Sequence, residues 1–404
     1  MSTAITVAGG PFTDAPGLLE RFEEPDTNDG VAAVPLVSNV STVNLIPLTG
    51  ADMLETIDVF YSLRGTFNAF TGTLTPSPYF PYNLIQNLGI PYQSGSLKLA
   101  STDGHMHWLY QLLRGANTPD PSHYVQQAPL QVTAYSPMAN LVSSTTYAAP
   151  TASAAYALDF NFRVSAARFM RYFYDTDAKG NLLQYENTFV SPFLMSSTGR
   201  NSIPTLTLNP IVGSSNDTGL FLHAGATTTM PTWTDSGSTV HFRRRGWRQP
   251  ANASSMPPLF NWALQIYSTR FSLDSARVRM PMPTEGQLSA IVVRLYDPTL
   301  NAGVGGPIPV ANLHQAIVSF GSGIAKYNDT PQSYQDRMMR THGFLPTEGV
   351  LVWDFWKDSG RTNRDVINTY NTASPLIRLD FGSYTPGPGS YADVGLEYFT
   401  LVSN

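Results

Sequence analysis

The sequence has 404 residues, room for two medium domains with cores of their own, and a formal net charge of -5 from 24 basic and 29 acidic residues. It has no cysteine, which excludes disulfide frameworks, thiolate metal sites, iron-sulfur clusters and cysteine nucleophiles. Only 13% of residues are charged while 42% are hydrophobic; ordinary soluble domains carry roughly 25% charged residues, so the surface is weakly charged, suited to assembly and ill suited to coating phosphates.

Residues 1–37 are interrupted by Gly9, Gly10, Pro11, Pro16, Gly17, Pro25, Gly30 and Pro35 and read as an extended N-terminal arm. Within it, Asp14 as a cap, Pro16 in the first turn and Leu18, Leu19 and Phe22 on one face predict a short helix from Asp14 to Glu24. Such a helix needs a partner surface to persist. Met1 to Gly10 has no basic start followed by an apolar core, and no run of about 18 apolar residues occurs, so neither a signal peptide nor a spanning helix is expected.

From Val37 onward, runs rich in Val, Thr, Tyr and Phe alternate with turn residues and predict strands. A first series comprises Val43 to Leu48, Glu55 to Phe70, Gly95 to Leu99, Trp108 to Leu113, Phe160 to Val164, Phe169 to Tyr174, Thr205 to Leu208 and Val240 to Arg245. Two stretches between them, Asn117 to Ala157 and Gly213 to Gly237, are rich in small polar residues and are expected to be long loops. Gln249 to Pro258 is the best linker. A second series follows: Ala263 to Phe271, Ala276 to Met280, Leu288 to Tyr296, Val350 to Phe355, Leu376 to Phe381 and Gly395 to Val402. Helices are expected over Val310 to Phe320 and, after the start signal Thr330-Pro331, through Thr341. The resulting expectation is an all-β chain with an arm at 1–37, a first sandwich at 38–249 and a second at 250–404.

Chemistry has few anchors. His105 and His107, near Asp103, would share one face of a strand and begin a metal site, but no further ligand follows in a recognisable pattern. The nucleophile elbow, the zinc-peptidase helix motif and both phosphate-binding glycine loops are missing. Glu348, Asp354 and Asp358 offer carboxylates for glycoside cleavage without any sign of their spacing in space. Lysine occurs only at Lys98, Lys179, Lys326 and Lys357, so twenty of the 24 basic residues are arginine, the cation favoured at protein interfaces, although a GC-rich genome gives the same bias. Arg243, Arg244, Arg245 and Arg248, interleaved with Phe242 and Trp247, form the basic cluster. On a strand they split between two faces, which fits a subunit contact to carboxylates better than a single-stranded nucleic-acid platform.

The segment from Leu74 to Ile90, LTPSPYFPYNLIQNLGI, followed by Gly104 to Tyr110, GHMHWLY, resembles the first domain of tectivirus-type major capsid proteins of the adenovirus hexon-like lineage. Leu206 to Pro210, Phe344 to Phe355, Ile367 to Thr369, Leu376 to Leu379 and Gly395 to Phe399 continue the resemblance in the family's order. It implies a double jelly roll, two eight-stranded sandwiches side by side, with three copies forming a capsomer of nearly hexagonal outline. The implied function is that of the major capsid protein of an icosahedral, tailless double-stranded DNA bacteriophage with an internal membrane, made in the host cytoplasm and located in the virion shell. The implied partners are other copies of the chain, neighbouring capsomers, and penton or minor capsid proteins, with no cofactor, metal, catalytic residue or sequence-specific nucleic-acid contact. Leu18, Leu19, Phe22 and the four arginines are the candidate assembly residues. In family members the arm often points to the internal membrane, but Glu20, Glu23 and Glu24 against a single Arg21 disfavour anionic lipid here, leaving a tie between capsomers as the other role. The competing class is a secreted β-sandwich polysaccharide-binding protein or glycoside hydrolase; a receptor-binding spike would need a shaft or repeat, and none is visible.

Overall fold

The computed structural model describes residues 5–7, 10–12, 20–25, 41–44, 52–67, 73–76, 79, 82–92, 97–113, 130–132, 147–148, 154–165, 169–170, 172–176, 182–186, 194–195, 205–209, 221–222, 233–248, 262–284, 286–303, 305–321, 325–358, 367–369 and 375–401. Among these residues the chain is dominated by strands, and the helices longer than one turn are α1 (Gly104–Leu113) and α2 (Pro331–Thr341). None of the described helices is long and apolar enough to cross a membrane.

The centre of the molecule is an eleven-stranded sheet. Its second-half portion is built on Gln287–Asp297, whose sequence QLSAIVVRLYD is buried from Leu288 to Asp297. A β-branched run covered on both faces has no polar alternation, and this strand shows none. It pairs antiparallel with Tyr391–Leu401 (Val293 opposite Val394) and with Val350–Asp354 (Ile291 opposite Trp353). Tyr391–Leu401 pairs along its length with Trp262–Ser272. That strand in turn runs parallel to Leu97–Thr102, with Ile266 opposite Ala100. Through this pairing the sheet passes from the second strand series into the first, continuing to Ile85–Tyr92, Thr205–Leu208 and Ser41–Asn44.

Each series adds a sheet of its own. The first half contributes a seven-stranded sheet centred on Asp52–Phe67, which pairs with Ala154–Ser165 and Thr239–Arg248. The second contributes a four-stranded sheet ordered Arg277–Pro281, Leu376–Asp380, Gln315–Ser319 and Ala325–Asp329. Ile57, Val59, Val240 and Phe242 from the first of these sheets, and Met280, Val318, Ile377 and Leu379 from the second, join one buried cluster with the central sheet. The two sandwiches expected from the sequence are therefore present and share a continuous backbone ladder.

Several elements differ from expectation. Trp108 to Leu113 belongs to α1, not to a strand: Asp103 caps the helix, its Oδ1 accepting from Met106 N at 2.8 Å and its carbonyl from His107 N at 3.0 Å. Aromatic and apolar residues all round this segment mimic a strand in sequence but here mark a helix buried on every side. Val310 to Phe320 is not one helix; a turn of 3-10 helix at Val310–Asn312 precedes the strand Gln315–Ser319, whose Ala316 and Val318 point inward. The helix after Thr330 is as expected, with Ser333 N donating to Thr330 Oγ1 at 3.3 Å in a capping box.

The N-terminal segment departs most. Glu20–Pro25 is a strand, not the end of a helix, and forms the edge of the seven-stranded sheet against Thr239–Arg248. Ile5–Val7 pairs with Gly10–Phe12 and, through Val7 opposite Phe173, with Tyr172–Thr176. The expectation that prolines keep residues 1–37 out of the sheets fails because Pro11 lies in an edge strand and Pro25 at a strand end, where a missing backbone donor costs no ladder bond. Within the two stretches expected as loops, Leu130–Val132, Tyr147–Ala148, Phe221–Leu222 and Trp233–Asp235 are short strands and Ala154–Ser165 starts early. Ser236 and Gly237 form the turn after Trp233–Asp235; the remaining residues of both stretches and the linker at Gln249 to Pro258 lie outside the described residues.

Candidate functional site

The distinctive polar constellation sits where the two halves meet. Arg294 lies in the buried strand Gln287–Asp297, and its side chain is 7% exposed. A charge that deep requires paired acceptors. Its register partner Asp393 supplies one, at 2.9 Å from Nη2. Asp103 supplies the other from the first half, accepting from Nη1 at 2.9 Å and from Nη2 at 2.5 Å. Thus the carboxylate that caps α1 also grips a strand of the second sandwich. Arg270, on Trp262–Ser272, completes the set with a two-pronged bond to Asp393 at 2.7 and 3.1 Å while its guanidinium stacks 3.7 Å from the Tyr391 ring.

Burial alone would lower the basicity of Arg294, but the facing carboxylates Asp103 and Asp393 outweigh it and hold the guanidinium above its ordinary basicity. Burial also acts against the charge on Arg270, and the bond to Asp393 reverses the direction. His105 behaves oppositely: burial first, then the Arg294 charge, hold it well below the ordinary imidazole value. A cleft of about 340 Å³ opens beside the cluster, lined by Tyr79, Asp103, Arg270, Arg294, Tyr296 and Tyr391.

Packing reinforces the electrostatic clamp. Helix α1 lies against Tyr391–Leu401 at Gly395, where a Cβ would sit 2.5 Å from Met106 Sδ and 3.1 Å from Tyr110 Cε2. The Tyr110 hydroxyl donates to the Ala290 carbonyl at 3.4 Å. At the helix start, a Cβ on Gly104 would collide with the Tyr82 carbonyl oxygen. Chemically, the cluster balances two guanidiniums with two carboxylates, and both carboxylates are engaged by arginines.

The residues singled out in the sequence have other places. His105 and His107 are both buried in α1, and two residues along a helix turn them to roughly opposite sides, so they do not form the start of a metal site. Among the described residues no group of three or more metal-ligating side chains occurs. Asp354 is fully buried and accepts from Lys357 N at 3.0 Å; Asp358 accepts from the Tyr327 hydroxyl at 2.6 Å and pairs with Arg337 at 3.4 Å; Glu348 is exposed. The first two carboxylates thus have structural partners. Arg244, Arg245 and Arg248 stand at register positions opposite Glu24, Glu23 and Glu20 of their own chain. Arg243 lies opposite Asp58 and Pro25, is exposed, and places its guanidinium 5.4 Å from the Phe60 ring. Phe22 is opposite Gly246; Leu18 and Leu19 lie outside the described residues.

Arg294, Asp393 and Arg270 do not stand out in the sequence, and Asp103 stands out only as a neighbour of the two histidines. A signal was present: Arg294 and Asp393 each interrupt an apolar run, and a charge inside a buried strand demands a partner. The identity of that partner, 191 residues away for Asp103, was not readable from spacing.

No protein-family model matches the chain, and no curated protein sequence matches it. Solved structures do. The capsid of virus PBCV-1 is similar with a TM-score of 0.53 at 12% identity, covering 96% of this chain and 95% of that one. The major capsid protein of Sulfolobus Turreted Icosahedral Virus gives 0.51 at 15% identity, over 95% and 97% of the two chains. The Faustovirus major capsid protein gives 0.50 at 12% identity, over 95% and 90%. The two sandwiches joined through one sheet are thus the double jelly-roll fold that these capsid proteins have, and the chain is a double jelly-roll protein.

Proposed function

We propose that the chain is a major capsid protein whose work is geometric, paving the shell of a virion, and that it is not an enzyme. The observation that carries this reading is the likeness in fold to capsid subunits over 95% or more of this chain in each comparison above. The clamp around Arg294 supports it, because a tile must keep its two sandwiches in one fixed relation.

In the finer reading, three copies form a capsomer with a nearly hexagonal outline, since three subunits with two similar sandwiches present six similar edges. Neighbouring capsomers and penton or minor capsid proteins are its partners. Leu18, Leu19, Phe22, the exposed Arg243, Arg244, Arg245 and Arg248 are the proposed contacts. An icosahedral, tailless double-stranded DNA bacteriophage with an internal membrane is the proposed source particle, on the strength of the sequence resemblance. Electron microscopy of the purified, concentrated protein tests the reading. Flat capsomers of near-hexagonal outline are expected; fibres, or globular particles without threefold symmetry, would overturn it.

A further inference from the structure

The junction contains a titratable group that its charge balance does not use. His105, in the first turn of α1, is 1% exposed, with its ring centroid 4.4 Å from that of Tyr79 and 5.4 Å from that of Trp108. Arg294 Nη1 lies 3.2 Å from its Nδ1. A guanidinium only donates, so Nδ1 is the acceptor and the neutral ring carries its proton on Nε2. The charged and titratable groups around it are Asp103 ahead of α1, Arg294 from Gln287–Asp297, Asp393 from Tyr391–Leu401, Arg270 from Trp262–Ser272, and Tyr79.

Two arginines and two aspartates sum to zero. Protonating His105 would remove the acceptor that Arg294 uses, set a second cation beside it, and place that cation at a helix N-terminus. With no further carboxylate in the cluster among the described residues, the excess charge is relieved by opening the site to water.

We propose that His105 is an acid-sensitive latch between the two jelly rolls: in mild acid its protonation breaks the bond to Arg294 and releases α1 from the strands of the second half. The sign follows from burial and the Arg294 charge, which hold the imidazole well below its ordinary value of 6.5 in the closed junction. The stabilisation is complete above 6.5 and is lost as pH falls below it, because the opened histidine binds a proton that the closed one refuses. One proton taken up on opening raises the opening equilibrium about tenfold per pH unit. Loosening of an assembled shell in acid would rest on the capsid reading; the latch itself does not, and its test uses the isolated full chain.

Hydrogen exchange followed by mass spectrometry between pH 7.5 and 5.0, corrected for intrinsic rates, provides that test. Below pH 6.5 the amides of α1 and of the Ile266–Ala100 pairing should lose protection by about tenfold per unit, while α2 keeps its own. His105→Gln keeps a neutral hydrogen-bonding side chain and should flatten the profile; the exposed His314→Gln should leave it as in the parent. Constant protection of α1 in the parent, or an unchanged slope in His105→Gln, overturns the proposal. If His105→Gln does not fold, the imidazole titration of the parent by NMR decides: a midpoint well below 6.5 supports the latch, and one at or above 6.5 refutes it.

Discussion

Arg294 holds three partners from two sandwiches, so its replacement tests the joint most sharply. In Arg294→Met the aspartates Asp103 and Asp393, 25% and 10% exposed in their side chains, lose a shared cation. Breaking a buried pair from one side costs about 3–5 kcal/mol, and chemical denaturation should show a loss of that size. Arg294→Lys should recover only part of it, because an ammonium cannot reproduce the planar fork to Asp103. Gly104→Ala is a steric counterpart: the added methyl meets the Tyr82 backbone oxygen, which cannot swing away as a side chain would, and a loss of about 1–3 kcal/mol in the same assay is expected. At this scale the sequence was least legible. His105, His107 and the Arg243 to Arg248 cluster stood out by type and spacing, whereas the joint is made of residues whose neighbours are strand residues far along the chain.

Elements were more legible where the side-chain period was clean. Thr205–Leu208 was placed to the residue, and Trp262–Ser272 and Gln287–Asp297 within one or two residues of their ends, because β-branched and aromatic runs bounded by turn residues leave little choice. The exceptions have physical causes. Helix α1 is buried on nearly all sides, polar His105, His107 and Gln111 included, so it has no clean apolar stripe to read. Gln315–Ser319 is only five residues, too short for its inward Ala316 and Val318 to outweigh the turn residues nearby. Glu20–Pro25 is defined by its register partner far along the chain, which stands Glu20, Glu23 and Glu24 opposite Arg248, Arg245 and Arg244. Deleting residues 1–25 should therefore do more than impair assembly. It strips the edge strand from Thr239–Arg248 and uncovers the backbone edge of Arg243–Arg248, so the truncated chain should melt at a lower temperature than the full chain and aggregate, as read by differential scanning fluorimetry and light scattering. An unchanged melting temperature would return these residues to the status of an arm.

The whole molecule is two sandwiches locked by a shared sheet, a buried helix and a charge-balanced clamp. Low charge and abundant arginine suit contacts between copies, and heterologous contacts close into a ring when the rotation between subunits permits. With two similar lobes per subunit, a ring of three has six similar edges and can tile a curved lattice; that geometric argument is the centre of the proposed capsid role. The measurement that tests it most directly is the native mass of the isolated protein at micromolar concentration. The expected species is a trimer of about 132 kDa, three times the 44.1 kDa chain, whereas a clean 44.1 kDa monomer would contradict the account.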